Sequence, residues 1–165
     1  MRVTIMWTIL LILILGSVEI LSCKYDFKHP HYLPQPENTF PYKIRATSYE
    51  YSPGTTITLS ISGDTFNSIY VQAIDGDSNE AIGTWRRAQG SVPIDACSAV
   101  LHSSYEDSTD SIELKWVSPV DGNGKVVFGV HIVKNLTTFW IIVVRRDLLI
   151  QEELKSTNST TISTT

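Results

Sequence analysis

Polar and apolar residues alternate with a period of two along much of the chain after residue 55. That period marks strands with one buried face. Ile57, Leu59 and Ile61 alternate with Thr56, Thr58, Ser60 and Ser62, and Ile112, Leu114 and Trp116 alternate with Glu113 and Lys115. Val126, Phe128, Val130 and Ile132 share one face of a third run; Gly129 and His131 share the other, which places His131 in solvent. Further strands are expected near 42–49, 67–75, 80–86, 97–103 and 138–146. The run Thr138 to Val144 is apolar on both faces, so it is expected at the centre of a sheet.

Turn signals separate these runs. Tyr51-Ser52-Pro53-Gly54 has proline then glycine at its central positions, as a type II turn requires. Asp75-Gly76-Asp77-Ser78-Asn79 and Asp121-Gly122-Asn123-Gly124 are hairpin loops. No sustained 3.6-residue repeat precedes residue 147. About eight or nine short strands predict an all-β, antiparallel sandwich of immunoglobulin-like type. The Cys…Trp…Cys spacing of true immunoglobulin domains is missing, because Cys23 precedes every strand.

The ends of the chain read differently. Arg2 is followed by an apolar run, Ile5 to Leu15, broken by Gly16 and Ser17; eleven residues are too few to span a bilayer and match a signal-peptide core. Residues 1–22 are therefore expected to be a signal peptide cut before Cys23, the alternative being an N-terminal membrane anchor. Residues 23–146 then form one domain and 147–165 a tail. Between Lys24 and Pro41 lie Pro30, Pro34 and Pro36 with no periodicity, the mark of an extended strap. A short helix is expected from Asp147 to Lys155. The Ser/Thr-rich end from Ser156 cannot bury a core and is an expected site of O-glycosylation.

The net charge is −4, and Arg2 and Glu19 cancel, so removing the leader leaves it unchanged. Without a basic stripe, nucleic acid is not expected as a partner. The two cysteines, Cys23 and Cys97, make an even count that suggests a disulfide in an exported chain, with free thiols as the alternative. Closing 73 intervening residues would be worth roughly 4 kcal/mol on the chain-entropy account. Two N-x-[ST] triplets, at Asn135 and Asn158, are expected glycosylation sites; Asn135 lies in a polar gap between apolar runs.

Candidate chemistry thins out on inspection. Asp75, Asp77 and Asn79 mimic the start of a calcium loop, but Glu80 and Arg86 occupy its glycine and glutamate positions, so the segment reads as a turn. His29, His31 and His102 are imidazoles near the cysteines without a paired ligand motif, and no metal or other cofactor is expected. Arg86-Arg87 and Arg145-Arg146 are candidate contacts for phosphate or acidic glycan, or solvated strand ends. No nucleophile motif or phosphate loop is present, so the chain reads as a binding protein and not an enzyme.

Four stretches in register resemble the Reeler (reelin N-terminal) domain. They are Tyr51-Ser52-Pro53-Gly54 with Val71-Gln72-Ala73 and Ile82-Gly83-Thr84-Trp85; Cys97 to Ser103; Leu114-Lys115-Trp116-Val117-Ser118-Pro119; and Val133-Lys134-Asn135 with Thr138-Phe139-Trp140. The chain is most similar to small secreted insect-type defence proteins made of that domain alone. It departs from the pattern at Ile74, where members often carry arginine, and in a short strap between Cys23 and Pro41. The resemblance implies an immunoglobulin-like sandwich, a Cys23–Cys97 disulfide, and an extracellular role in innate immunity with microbial surface glycans or extracellular proteins as partners. It also implies an alternative, a structural module of extracellular matrix. A redox role is not expected, since no haem-containing reductase domain follows in this sequence.

Overall fold

The computed structural model describes residues 23, 33–104 and 109–146. The expectations for the signal peptide, His29, His31, the 147–155 helix, the tail and Asn158 lie outside these residues. Ten strands form: β1 (Tyr42–Ala46), β2 (Glu50–Tyr51), β3 (Thr56–Phe66), β4 (Ser68–Asp75), β5 (Thr84–Trp85), β6 (Ser91–Ile94), β7 (Ala99–Ser103), β8 (Thr109–Val117), β9 (Gly124–Asn135) and β10 (Thr138–Val144). They make two antiparallel sheets, one ordered β1-β3-β8-β5, the other β10-β9-β4-β7-β6 with β2 also paired to β9. The architecture is the expected two-layer all-β sandwich.

The alternation read from the sequence sets which face is buried. In the first sheet Ile57 lies opposite Trp116, Leu59 opposite Leu114 and Ile61 opposite Ile112. In the second, Ile69 faces Ile132, Val71 faces Val130 and Ala73 faces Phe128. These rows meet between the sheets and most of their members are fully buried. Each large side chain so removed from water contributes roughly 1.5–3 kcal/mol.

Aromatic rings fill the middle of this core. Trp116 packs edge-on against Tyr51 and Phe128, with centroids 5.6 and 6.2 Å away. Its indole N–H donates to the Ile82 carbonyl at 2.9 Å, which satisfies a polar group that burial would otherwise penalise. The next residue, Gly83, has φ +70°, and a Cβ there would sit 2.5 Å from the Trp116 ring and from the Val117 carbonyl. Trp85 is held likewise, donating to the Ser98 carbonyl at 2.9 Å.

Several expectations are corrected. The 80–86 segment shortens to β5 and an isolated bridge between Ile74 and Ala81. The 97–103 segment opens as a 3-10 turn at Asp95–Cys97 before β7. The strand β6, containing Pro93, was not expected at all; it lies at the sheet edge, where the missing proline N–H does no harm. The apolar strand β10 is an edge strand and not a central one. Its inner face, with Trp140 and Val144, enters the core, whereas Ile141 and Val143 on the outer face are exposed. Part of the strap lies along it: the Gln35 amide donates to the Phe139 carbonyl at 2.8 Å and Trp140 donates to Thr39 Oγ1 at 3.1 Å. His131 is half-buried beside the Tyr70 ring, at 5.7 Å between centroids, and not solvated.

The disulfide joins Cys23 to Cys97, with Cα atoms 5.1 Å apart. It packs with Tyr70, Ala99, Ile94 and Leu101 on the outer side of the second sheet. His102, by contrast, points inward from β7 toward Ser91, its Nδ1 3.3 Å from Ser91 Oγ. Its Nε2 is shut off from solvent with no hydrogen-bond partner among the described residues.

Gly83→Ala combines a left-handed backbone with a clash against a buried ring, and should lower unfolding free energy by roughly 3 kcal/mol or more; urea denaturation measures it, and a loss under about 1 kcal/mol would contradict the packing. Burial holds His102 and His131 below their ordinary value of 6.5. The unfolded chain then takes up protons first as pH falls, so stability is full above about pH 6.5 and declines below it. The urea midpoint should drop between about pH 7.5 and pH 5, and His102→Phe should flatten that slope.

Candidate functional site

Loops gather at the end of the sandwich where β2 and β9 begin to pair and β10 ends. Tyr51 connects this end to the core: its ring lies against Trp116 and its hydroxyl donates to Asp75 Oδ2 at 3.1 Å. The other carboxylate oxygen, Oδ1, accepts the Asp77 and Ser78 amides at 3.0 and 2.8 Å. Those amides, first the Ser78 one, hold Asp75 below the usual carboxylate range despite a smaller opposing effect of burial. With both oxygens engaged, Asp75 caps a turn, and the calcium-loop likeness of 75–79 is a hairpin device. Among the described residues, no three His, Cys, Asp or Glu side chains converge as a metal site.

The capped turn is pressed against β9. The Gly76 amide donates to the Lys125 carbonyl at 2.8 Å, and a Cβ on Gly76 would come within 3.1 Å of Lys125 Cβ. The Val126 amide donates to the Tyr49 carbonyl at 3.0 Å. Between these segments opens a cavity of about 300 Å³, lined by Tyr49, Glu50, Gly76, Asp77, Lys125, Val126, Val127, Arg145 and Arg146.

Three cationic side chains thus stand around one depression against two acidic ones. Arg146 Nη1 bridges to Glu50 Oε1 at 2.7 Å, and both side chains are mostly exposed, so the pair adds little stability and can exchange partners. Tyr49 forms part of the floor, its ring edge-on to Phe128 at 6.4 Å. Burial raises its hydroxyl pKa, the Ala46 backbone acting weakly the other way. The arrangement offers forked and point cationic donors, a set suited to holding an anion by hydrogen bonds.

The structure separates the residues singled out in the sequence. Arg145 and Arg146 reach the cavity; Arg86 and Arg87 follow β5 on the other sheet, where Arg86 Nη2 lies 3.4 Å from Thr56 Oγ1. His102 is committed to the core. Asn135 is exposed at the tip of the β9–β10 hairpin. Lys125, Glu50 and Tyr49 were missed by sequence reasoning, because the β2–β9 pairing that joins them links segments more than 70 residues apart. No helix among the described residues is long and apolar enough to cross a membrane.

Comparison with known proteins agrees with this architecture. Residues 21–156 match the family model described as the Reeler domain. Putative defense protein 1 of Antheraea mylitta is 30% identical over 132 residues, covering 73% of this chain and 77% of that protein. Putative defense protein 3 of the same species is 34% identical over 118 residues, covering 67% and 70%. Putative ferric-chelate reductase 1 of Danio rerio is 28% identical over 109 residues, but the match takes in only 19% of its length. The crystal structure of the human F-spondin reeler domain superposes with a TM-score of 0.51 at 19% identity, covering 65% of this chain and 88% of that one. From the strap to the end of β10, both sheets and the disulfide fall inside the matched stretch, and the chain belongs to the Reeler domain family.

Proposed function

We propose that this Reeler-domain protein is exported and acts in innate defence, holding anionic groups of microbial surface polymers at the cavity between β2, β9 and the end of β10. The observation that carries the binding reading is the convergence of Lys125, Arg145 and Arg146 on one open depression. The defence role is supported by relatives bearing defence names, of whose length this chain matches 70–77%. It matches only 19% of the length of the reductase relative, so that name lends little support to a redox role here. Export is supported by the apolar segment ahead of Cys23 and by the Cys23–Cys97 disulfide, which persists in oxidising compartments.

The geometry of the ion pair supports this reading. Glu50 already holds the Arg146 guanidinium over the cavity at 2.7 Å. A ligand phosphate or carboxylate reaching Lys125 competes with Glu50 for Arg146 and gains charge-assisted hydrogen bonds. Because these groups are exposed, attraction weakens as salt rises.

The secreted protein should sediment with bacteria and with purified cell-wall polymers, less so at high salt. Lys125→Ala and Arg146→Ala should each weaken binding roughly tenfold, the effect of losing about 1.4 kcal/mol of charged hydrogen bonding. Glu50→Gln, which frees Arg146, should tighten it. No co-sedimentation at micromolar protein, or equal binding by all four proteins, would sink the reading. Capture by matrix proteins without capture by bacteria would favour an adhesive module instead.

A further inference from the structure

The β9–β10 hairpin ends in an exposed tip, Asn135-Leu136-Thr137, with Leu136 82% exposed. Thr138 pairs with Asn135 across the loop, and the register shifts between Thr138 and Phe139, so the tip is a tight, bulged turn projecting from the sandwich. Within it the Thr137 amide and the Thr137 hydroxyl both donate to Asn135 Oδ1, each at 3.0 Å. A backbone N–H can only donate, so the atom facing it must be the side-chain oxygen, which fixes the orientation of the amide. The Asn135 nitrogen, Nδ2, is left without a hydrogen-bond partner among the described residues, at the surface.

This arrangement suits one chemistry. Two donors on Oδ1 stabilise the amidate left when Nδ2 gives up a proton, the form in which an amide nitrogen is nucleophilic. The contact spans two residues, so it forms locally and does not wait for the sandwich to assemble. We propose that Asn135 is an N-glycan attachment site that stands at the end of the sandwich opposite the cavity; this rests on the export reading above. Nδ2 attacks the anomeric carbon of an oligosaccharide carried on a lipid diphosphate. The new C–N bond forms as the C–O bond to the diphosphate breaks, the lipid diphosphate leaves, and the nitrogen gives up one proton.

The fold sets what the glycan does and does not touch. β9 runs from Lys125 at the cavity to Asn135 at the tip, ten residues and so about 33 Å. β10 returns antiparallel, which brings Arg145 and Arg146 back to the cavity end. An oligosaccharide on Asn135 therefore points away from the cationic cavity and shades Leu136, the most exposed apolar side chain of the hairpin.

The full chain, expressed in insect cells with its own N-terminus, tests this. The secreted protein should carry an oligosaccharide on the peptide containing Asn135, removable by peptide N-glycosidase. Asn135→Gln and Thr137→Ala should each lose one glycan, Thr137→Ser should keep it, and all should bind bacteria as the parent does. A secreted, folded protein whose Asn135 peptide is unmodified overturns the proposal while leaving export and binding intact. Retention in the cytosol overturns export and this proposal together. Loss of bacterial binding by folded Asn135→Gln overturns the placement away from the cavity.

Discussion

Much of this structure depends on burying one indole ring without leaving its N–H unpaired. Trp116 sits fully buried at the centre of the sandwich, and its only polar atom is matched by the Ile82 carbonyl. That carbonyl can approach because Gly83 turns the chain through a left-handed conformation closed to residues with a Cβ at this distance. The loop leading into β5 is thus specified by the core and not by its own exposed residues. An unpaired buried indole N–H would cost roughly 1–3 kcal/mol, comparable with a sizeable part of a domain's net stability.

From Trp116 the order passes outward in steps of direct contact. Tyr51 leans on the indole and hands its hydroxyl to Asp75; Asp75 gathers the amides of Asp77 and Ser78; the turn so formed lays Gly76 against Lys125. The backbone beside the cavity is therefore fixed by the core, while the charged groups sit on strand ends and are mostly exposed. Such a division lets the rim vary in charge without disturbing the sheets, consistent with the way binding sites are carried on rigid scaffolds. Arg146 and Glu50, tied to each other and not to the interior, are the replaceable part.

The sequence made the layers legible because the period of two is the same whether or not the partner strand is known. Ile57-Leu59-Ile61 and Val126 to Ile132 could only bury one face each, and they do. It made Tyr51-Ser52-Pro53-Gly54 legible because proline fixes φ and glycine permits the positive φ at Gly54, and the Asp75 turn legible because an aspartate can cap its own turn. Position within a sheet was harder to read. Thr138 to Val144 carries apolar residues on both faces, which in composition is the same as a central strand; the strap bonding at Phe139, and simple exposure at Ile141 and Val143, account for it instead. His131 misled for the opposite reason, since the outer side of β9 is covered by neighbours such as Tyr70 that belong to another run. The cavity was half legible: Arg145-Arg146 stood out as a pair, but Lys125 and Glu50 meet them only through the β2–β9 register, which no local pattern encodes.

The two ends of the sandwich consequently differ in how they were made. One end is assembled from four distant segments, and its geometry exists only once β2, β4, β9 and β10 are in place. The other, at Asn135, is a property of three consecutive residues closing one hairpin. A ligand held at the first end would find its contacts only in the folded chain, and its binding would add to stability. A modification that acts on the chain as it is made belongs at the second. The hairpin β9–β10 spans both, so one pair of strands carries the local signal to one end and the long-range site to the other.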